Sequence, residues 1–391
     1  MGSAGSKNSD SGSNSNVKVS KKDLQYFISE VHCHEKGINT MCMPSNGTVL
    51  ITGGEDCNAQ IYDTEQEKVV SVLAGHEFYI NHVVCSDTYI FTASADKCIR
   101  KWRIDNGTCA KVMKGHTAAV NRLLIIETLL FSSSYDRTIC CWDIISGECK
   151  ASYSGHKLGV YPLLYIPLPE QPFDRDYSDL ENNNDILVSG SVDKTAKSWS
   201  LGSRETIITF RGHTGAVLCL AADSQAKYLY TGSQDATIRS FNLFTGEQLK
   251  VFEGHAAGVL QLQLVNRLLF SASCDHTVRC WVAEIGDCTR IYKGHTHTIG
   301  CMVIVNGVLI TGSGDCTARA YDAKSGACKR IFKGHRGAVN AVVMRGTKLY
   351  TASFDGSIRI WDASKLKEGE DIVPEQPKAS GSTGSNLKDV V

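Results

Sequence analysis

The sequence predicts an all-β fold, an eight-bladed β-propeller built from four-stranded antiparallel blades. Three periodic observations predict it. Gly-His occurs at 75–76, 115–116, 155–156, 212–213, 254–255, 294–295 and 334–335, at intervals of 40, 40, 57, 42, 40 and 40 residues. An Asp follows each His, at positions 96, 136, 193, 235, 275, 315 and 355, and each has a Ser two residues before it. Six residues beyond each Asp stands an aromatic: Trp102, Trp142, Trp199, Phe241, Trp281, Tyr321 or Trp361. A degenerate eighth unit lies upstream, with His34, Gly54 in place of Ser, Asp56 and Tyr62. A repeat of about 40 residues is one supersecondary unit that buries its apolar face only against its neighbours, and this pattern is that of a propeller blade.

Within a unit, four short strands alternate with turn signals. In the third unit they are Val120 to Ile126, Leu129 to Ser134, Thr138 to Asp143 and about Cys149 to Ser154, rich in β-branched and aromatic residues. Ser146-Gly147 and the segment Ser-Tyr-Asp-Arg at 134–137 supply turns. Eight sets of first-to-third strands and eight outer strands are countable, the first outer strand being Gln25 to Cys33. If that N-terminal strand becomes the fourth strand of the last blade, the ring closes with eight blades and leaves no open edge. The alternative is seven blades with the degenerate unit left outside as a hairpin.

Composition narrows the functional classes. The 391 residues are 42% hydrophobic and 21% charged, an ordinary globular balance. Lys and Arg number 41, as do Asp and Glu, so the chain lacks the basic footprint of a nucleic-acid binder. No apolar run approaches a membrane span and no secretory h-region follows the N-terminus, so a cytoplasmic protein is expected. Sixteen cysteines in a long, core-rich chain read as reduced, packed thiols rather than a disulfide framework. Cys109, Cys149, Cys288 and Cys328 follow turn glycines by two residues, while Cys219 and Cys301 sit on inner strands. Same-register cysteines lie about 40 residues apart and Cys140-Cys141 point to opposite faces of one strand, so no metal site is expected. No cofactor is expected either.

On the tetrads just described, and on segments such as LFSSSYDRTICCWD and RGHTGAVLCL, the chain from Leu24 to Asp362 resembles the WD-repeat family. The resemblance implies that His, Ser, Asp and Trp form a structural network in each blade: His116, Ser134, Asp136 and Trp142, for example, or His335, Ser353, Asp355 and Trp361. His76, Ser94, Asp96 and Trp102 form another set, as do the residues led by His156 and His255. The Asp caps its turn and accepts from the imidazole, and the Ser and indole N–H complete the network. A set repeated round a ring is not one active site, so no catalytic residue is assigned. The units with Gly54, Phe241 and Tyr321 are expected to have weaker networks.

The resemblance also implies that partners dock where the Gly-His and Ser-x-Asp turns converge round the central channel. The fifth residues after His are Asn39, Asn81, Asn121, Tyr161, Leu218, Leu260, Gly300 and Asn340. The residues before Asp are Glu55, Ala95, Tyr135, Val192, Gln234, Cys274, Gly314 and Phe354, and Tyr79 and Thr298 stand out at the third position after His. None of these is Arg or Lys, which disfavours the arginine-based phosphate reading of propeller phosphodegron receptors. The partner-binding candidates are therefore Tyr79, Asn81, Asn121, Tyr135, Tyr161, Gln234, Asn340 and Phe354, with the aromatics as anchors for an apolar peptide or protein loop. The competing reading is that rim aromatics only cover the channel mouth.

The remaining segments read as follows. Residues 1–23 form a Ser/Gly/Asn-rich disordered arm, residues 24–363 the propeller, and residues 364–391 a flexible tail ending in Asp389-Val390-Val391, which fits a PDZ groove. Residues 162–185 form an insertion loop, rich in proline and then acid, on the face opposite the Gly-His turns. Met1-Gly2 with Ser6 fits N-myristoylation at Gly2. One acyl chain supports only weak, reversible membrane contact, modestly aided by Lys7, Lys18, Lys21 and Lys22. A monomeric, non-catalytic scaffold for protein partners is the leading expectation. The alternative is a substrate-recognition subunit of a ubiquitin ligase, against which stand the lack of an F-box-like domain and of a Trp-Asp-x-Arg motif; an enzyme using the channel lacks a convergent acid, base and nucleophile.

Overall fold

The computed structural model describes residues 25–168 and 185–367. Eight four-stranded antiparallel sheets stand round a ring; in seven of them hydrogen bonds join strands consecutive in sequence, and in the eighth the N-terminal strand supplies the outer position. Blade 1 comprises Ile38–Cys42, Val49–Gly54, Ala59–Asp63 and Lys68–Leu73. In blade 3 the strands are Val120–Ile126, Leu129–Ser134, Thr138–Asp143 and Cys149–Ser154, matching the sequence reading. The alternation of buried and exposed side chains fixes the register, because a one-residue slip would turn every apolar side chain to the wrong face.

Closure follows the predicted route. The strand Phe27–His32 pairs antiparallel with Ser357–Asp362 and so becomes the outer strand of blade 8. Phe27 packs edge-on against Trp361 with ring centroids 5.6 Å apart, and Arg359 pairs with Glu30 at 2.8 Å. The residue after the turn Asp has positive φ in every blade; Arg137 is at 73° and His276 at 70°. At the same place in blade 8 stands Gly356, whose carbonyl accepts from the N–H groups of Cys33 and His34. A side chain there would collide with the His34 carbonyl oxygen, so the crossing of the two chain ends requires glycine.

The core is a ring of contacts between blades. Between blades 2 and 3, Phe91, Ile99 and Met113 pack against Val120, Leu130 and Trp142. Between blades 8 and 1, Tyr350 and Ile360 pack against Ile38, Leu50 and Tyr62. The five tryptophans are all buried, which explains why one large aromatic recurs on each third strand.

Two expected boundaries move. The first strand of blade 4 is Val160–Ile166, so Pro162 belongs to the sheet and the insertion begins only after Ile166. Proline is tolerated here because this inner strand is a sheet edge and its register shifts between Val160 and Leu163. The described ends of the insertion are tied down: the buried Asp185 carboxylate accepts from the Tyr165 hydroxyl and from the Leu168 N–H at 2.8 Å. At the other boundary, Ser364–Lys367 forms a single 3₁₀ turn that buries Leu366 rather than starting a loose tail. Gly2, the N-terminal lysines, the acidic part of the insertion and the last residues lie outside the described residues.

Candidate partner-binding face

The repeated polar residues form a directed chain of hydrogen bonds. In blade 3 the Trp142 indole N–H donates to Ser132 Oγ at 2.8 Å, and that hydroxyl lies 2.7 Å from His116 Nε2. His116 Nδ1 lies 2.7 Å from Asp136 Oδ2. An indole only donates and a carboxylate only accepts, so the neutral imidazole carries its proton on Nδ1 and accepts from the hydroxyl through Nε2. The same carboxylate accepts from the N–H groups of Thr117 and Thr138, both at 2.9 Å.

The hydroxyl in this chain is not the expected one. Ser134 instead caps the turn, accepting from the Asp136 N–H at 3.1 Å and donating to the Ala118 carbonyl. Ser132 takes its place because side chains two residues apart share one face of a strand, and position 132 lies closer to the indole. Blade 8 repeats the substitution: Thr351 Oγ1 joins Trp361 Nε1 at 2.9 Å to His335 Nε2 at 2.8 Å, while Ser353 caps the Asp355 turn. His335 Nδ1 lies 3.1 Å from Asp355.

The degenerate units lose the donor end of the chain rather than the His–Asp end. Thr52 meets His34 at 2.8 Å although Gly54 replaces the capping Ser, but the buried Tyr62 hydroxyl finds no partner. Phe241 has no N–H to offer Thr231, which still meets His213 at 2.7 Å. The Tyr321 hydroxyl reaches past to the Lys293 carbonyl at 3.3 Å. In all eight blades burial pushes the Asp carboxyl up, but the hydrogen bonds from the imidazole and backbone N–H groups, joined in blades 3 to 8 by a Thr or Ser hydroxyl, outweigh it and hold the carboxyl below its ordinary range. Burial holds the His213 and His295 rings neutral against the pull of their aspartates.

The candidate face divides into ties and anchors. Asn81 Nδ2 donates to the Val120 carbonyl at 2.9 Å, Asn121 to Val160 at 2.7 Å, and Asn340 to Ile38 at 2.8 Å. Asn39 does the same to Ile80 at 3.0 Å, so four consecutive blade junctions are stitched by amides. Asn121 is buried and Asn81 and Asn340 half-buried, and each spends an amide N–H on holding the next blade. A polar residue facing the channel is satisfied most cheaply by the next blade's carbonyl, a relation that depends on spatial adjacency and not on sequence period.

The aromatics remain accessible. Tyr79 is 45% exposed, Tyr135 49% and Phe354 48%, and Gln234 is exposed as well. Tyr135 meets the half-buried Tyr161 edge-on, with centroids 5.9 Å apart. Burial and the Tyr161 phenol raise the Tyr135 hydroxyl to about 12, so it stays a neutral donor. Tyr135 and Phe354 each lie over a glycine of the following blade: a Cβ on Gly159 would sit 2.6 Å from the Tyr135 ring, and one on Gly37 would enter the Phe354 ring. Phe78 and Leu158, at the second position after His, add exposed apolar surface to the same arc and were not singled out in the sequence.

The channel holds about 440 Å³ and is lined by the inner strands, including the sixth residue after each His: Thr40, His82, Arg122, Pro162, Cys219, Gln261, Cys301 and Ala341. Several of these also bridge blades. The Cys219 and Cys301 thiols donate to the Val259 and Val339 carbonyls at 3.6 Å, and Gln261 exchanges two bonds with Met302. Arg122 is the single formal charge on the channel wall and was missed because the fifth position was read and the sixth was not. Cysteines likewise come together across blades despite their separation in sequence: the Cys42 and Cys85 sulfurs lie 3.3 Å apart. Among the described residues, no group of three or more His, Cys, Asp or Glu side chains could hold a metal ion, and no helix is long and apolar enough to cross a membrane.

Comparisons with known proteins agree with this architecture. The family model "WD domain, G-beta repeat" matches seven stretches, residues 25–63, 67–103, 107–143, 204–242, 246–282, 286–322 and 326–362. The unmatched interval contains the insertion of blade 4. Human WD repeat-containing protein 86 is 47% identical over 194 residues, 49% of this chain and 50% of that protein. Human pre-mRNA-processing factor 19 is 34% identical over 70 residues, 17% of this chain and 14% of that protein. The chain thus spans half or less of the curated relatives named here. A crystal structure of the computationally designed Ika8 protein superposes with a TM-score of 0.75 at 23% identity, covering 86% of this chain and 99% of the design, a likeness of fold alone. The repeat matches, the closed ring and the hydrogen-bonded His and Asp of each blade make one case: the chain belongs to the WD domain, G-beta repeat (WD40) family.

Proposed function

We propose that this propeller is a non-catalytic scaffold that binds protein partners on its Gly-His face, round the channel mouth. One observation carries the reading. Tyr79, Tyr135 and Phe354 stay about half exposed, and Tyr135 and Phe354 lie over glycines, whereas the repeated polar side chains around them are engaged in holding the blades. Half-exposed aromatics on a rigid base supply contact area at low entropic cost, as binding hot spots do. With Tyr161 and Gln234 they make the contact surface, and the occupant is a protein segment rather than nucleic acid, given equal numbers of acidic and basic residues.

The substrate-receptor role in a ubiquitin ligase is a special case of this scaffold and would use the same face. Gly2 acylation would add weak, reversible membrane contact to a cytoplasmic, monomeric propeller; the intact mass of the protein from eukaryotic cells tests it. The face itself is tested with a photo-crosslinking residue placed at Tyr135 or, as control, at the outer-strand Val70, which is equally exposed. Specific cross-linked partners are expected from position 135 and not from position 70. The reverse pattern would move the interface to the rim, and ligase subunits among the products would select the special case.

A further inference from the structure

Arg122 and His82 occupy the same register on neighbouring inner strands and both line the channel. They are coupled: the Leu123 N–H donates to His82 Nδ1 at 3.2 Å, and the Arg122 charge adds to burial in holding the His82 ring neutral. A neutral imidazole that accepts through Nδ1 carries its proton on Nε2, so His82 offers one N–H and no second acceptor. Arg122 offers a full guanidinium. No carboxylate lines the channel and none acts on Arg122, an exposed residue whose charge is felt by the Tyr161 phenol and the His82 ring. The side-chain donors of Asn39, Asn340, Gln261, Cys219 and Cys301 are committed to backbone carbonyls. The wall therefore carries one positive charge with a neighbouring neutral donor, beneath an aromatic arc.

We infer that Arg122 and His82 form a carboxylate-binding site in the channel, which takes an acidic side chain of the protein segment docked on the aromatic face. One cation and one neutral N–H match a monoanion; a phosphate dianion would keep an uncompensated charge. A guanidinium offers two parallel donors to the two oxygens of a carboxylate. Tyr135 and Tyr161, at the channel mouth over blades 3 and 4, receive the apolar residues flanking the acid. The source of the carboxylate rests on the reading of the face as a protein-docking surface; the site itself does not.

The full-length protein is titrated with benzoate, which joins a carboxylate to an aromatic ring, with its neutral isostere benzamide, and with phenyl phosphate, following the Arg122 side-chain Nε–H resonance by NMR. A saturable benzoate shift is expected, with no benzamide binding and with affinity lowered about tenfold or more in Arg122→Gln. Arg122→Lys, which keeps the charge, should recover part of it. The benzamide comparison uses the unaltered protein, so a folding defect in a variant does not obscure the answer. Absence of saturation, equal binding of benzamide, or undiminished binding by Arg122→Gln would overturn the site; phenyl phosphate binding tenfold tighter than benzoate would overturn the monoanion assignment. In a second arm, Arg122→Gln should lower partner recovery as removal of the aromatics does. Benzoate binding with recovery insensitive to Arg122→Gln but lost with the aromatics would overturn the docked acid and leave the face standing. Recovery insensitive to both would overturn the face and the docked acid, and leave the carboxylate site.

Discussion

The side-chain amide of Asn340 donates to the Ile38 carbonyl at 2.8 Å, bridging the last inner strand to the first across 302 residues. Together with the pairing of the N-terminal strand in blade 8, this bond closes the ring from the channel side. Leu218 and Leu260 occupy the same register in blades 5 and 6, so leucine fits the site sterically. Asn340→Leu should therefore lower unfolding free energy by about 1 kcal/mol, and Asn121→Leu, at a buried position, by about 2 kcal/mol. Urea denaturation midpoints check both. Unchanged midpoints would show the amides to be incidental.

Ser132 accepts the Trp142 indole N–H and faces His116 Nε2, so Ser132→Ala leaves two buried polar groups without partners. A loss of about 2 kcal/mol or more is expected. Trp142→Phe removes one of the two groups and reproduces the arrangement at Phe241. The double variant should then cost less than the sum of the single ones, the non-additivity of residues in one network. Additive costs in a double-mutant cycle would contradict the directed chain.

Acid should unfold the propeller through its turn aspartates. Their carboxyls titrate below the ordinary range in the folded chain, against about 3.9 unfolded. Their stabilisation is present above the unfolded value and is lost as pH falls through the folded one. Urea midpoints should begin to fall at about pH 6.5, where the unfolded chain protonates His82, His213 and His295 while the fold holds them neutral, and fall further below about pH 4 as the turn aspartates titrate. Asp136→Asn should lower the midpoint at neutral pH and flatten the acid limb, while a midpoint independent of pH down to 2.5 would contradict the assignment.

Cys149 is exposed, and the hydrogen bond from the Cys140 thiol lowers its own thiol to about 6. That same bond raises Cys140, which is also buried. Iodoacetamide should modify Cys149 readily at pH 7, with a rate that declines below about pH 6 as the thiolate is lost. Cys140→Ala removes the donor, moves that midpoint upward and slows the reaction at neutral pH. Peptide mapping identifies the modified residue, and an unchanged midpoint in the variant would refute the coupling.

The periodic part of the molecule was legible because it is written once per blade. Strand boundaries in blade 3, the eight-fold count and closure through Phe27–His32 follow from spacing and alternation alone. Contacts between blades were not legible. Asn121 reads as a surface amide until the Val160 carbonyl of the next blade is placed beside it, and Cys42 and Cys85 read as distant until neighbouring inner strands bring their sulfurs together. The hydroxyl of the polar chain was misplaced by two residues, since Ser132 and Ser134 share a strand face and only the indole position separates them. Of the binding face, the exposed aromatics were readable as departures from the repeat. Arg122, one residue beyond the register considered, was not.

The most direct test compares partner recovery by the unaltered chain with that of Tyr79→Ala/Tyr135→Ala/Phe354→Ala, using protein with matched urea midpoints. The account predicts at least a tenfold loss of specific partners in the triple variant, because truncating hot-spot aromatics costs about 2 kcal/mol or more. Equal recovery from two equally folded proteins would contradict it and place recognition elsewhere on the disc.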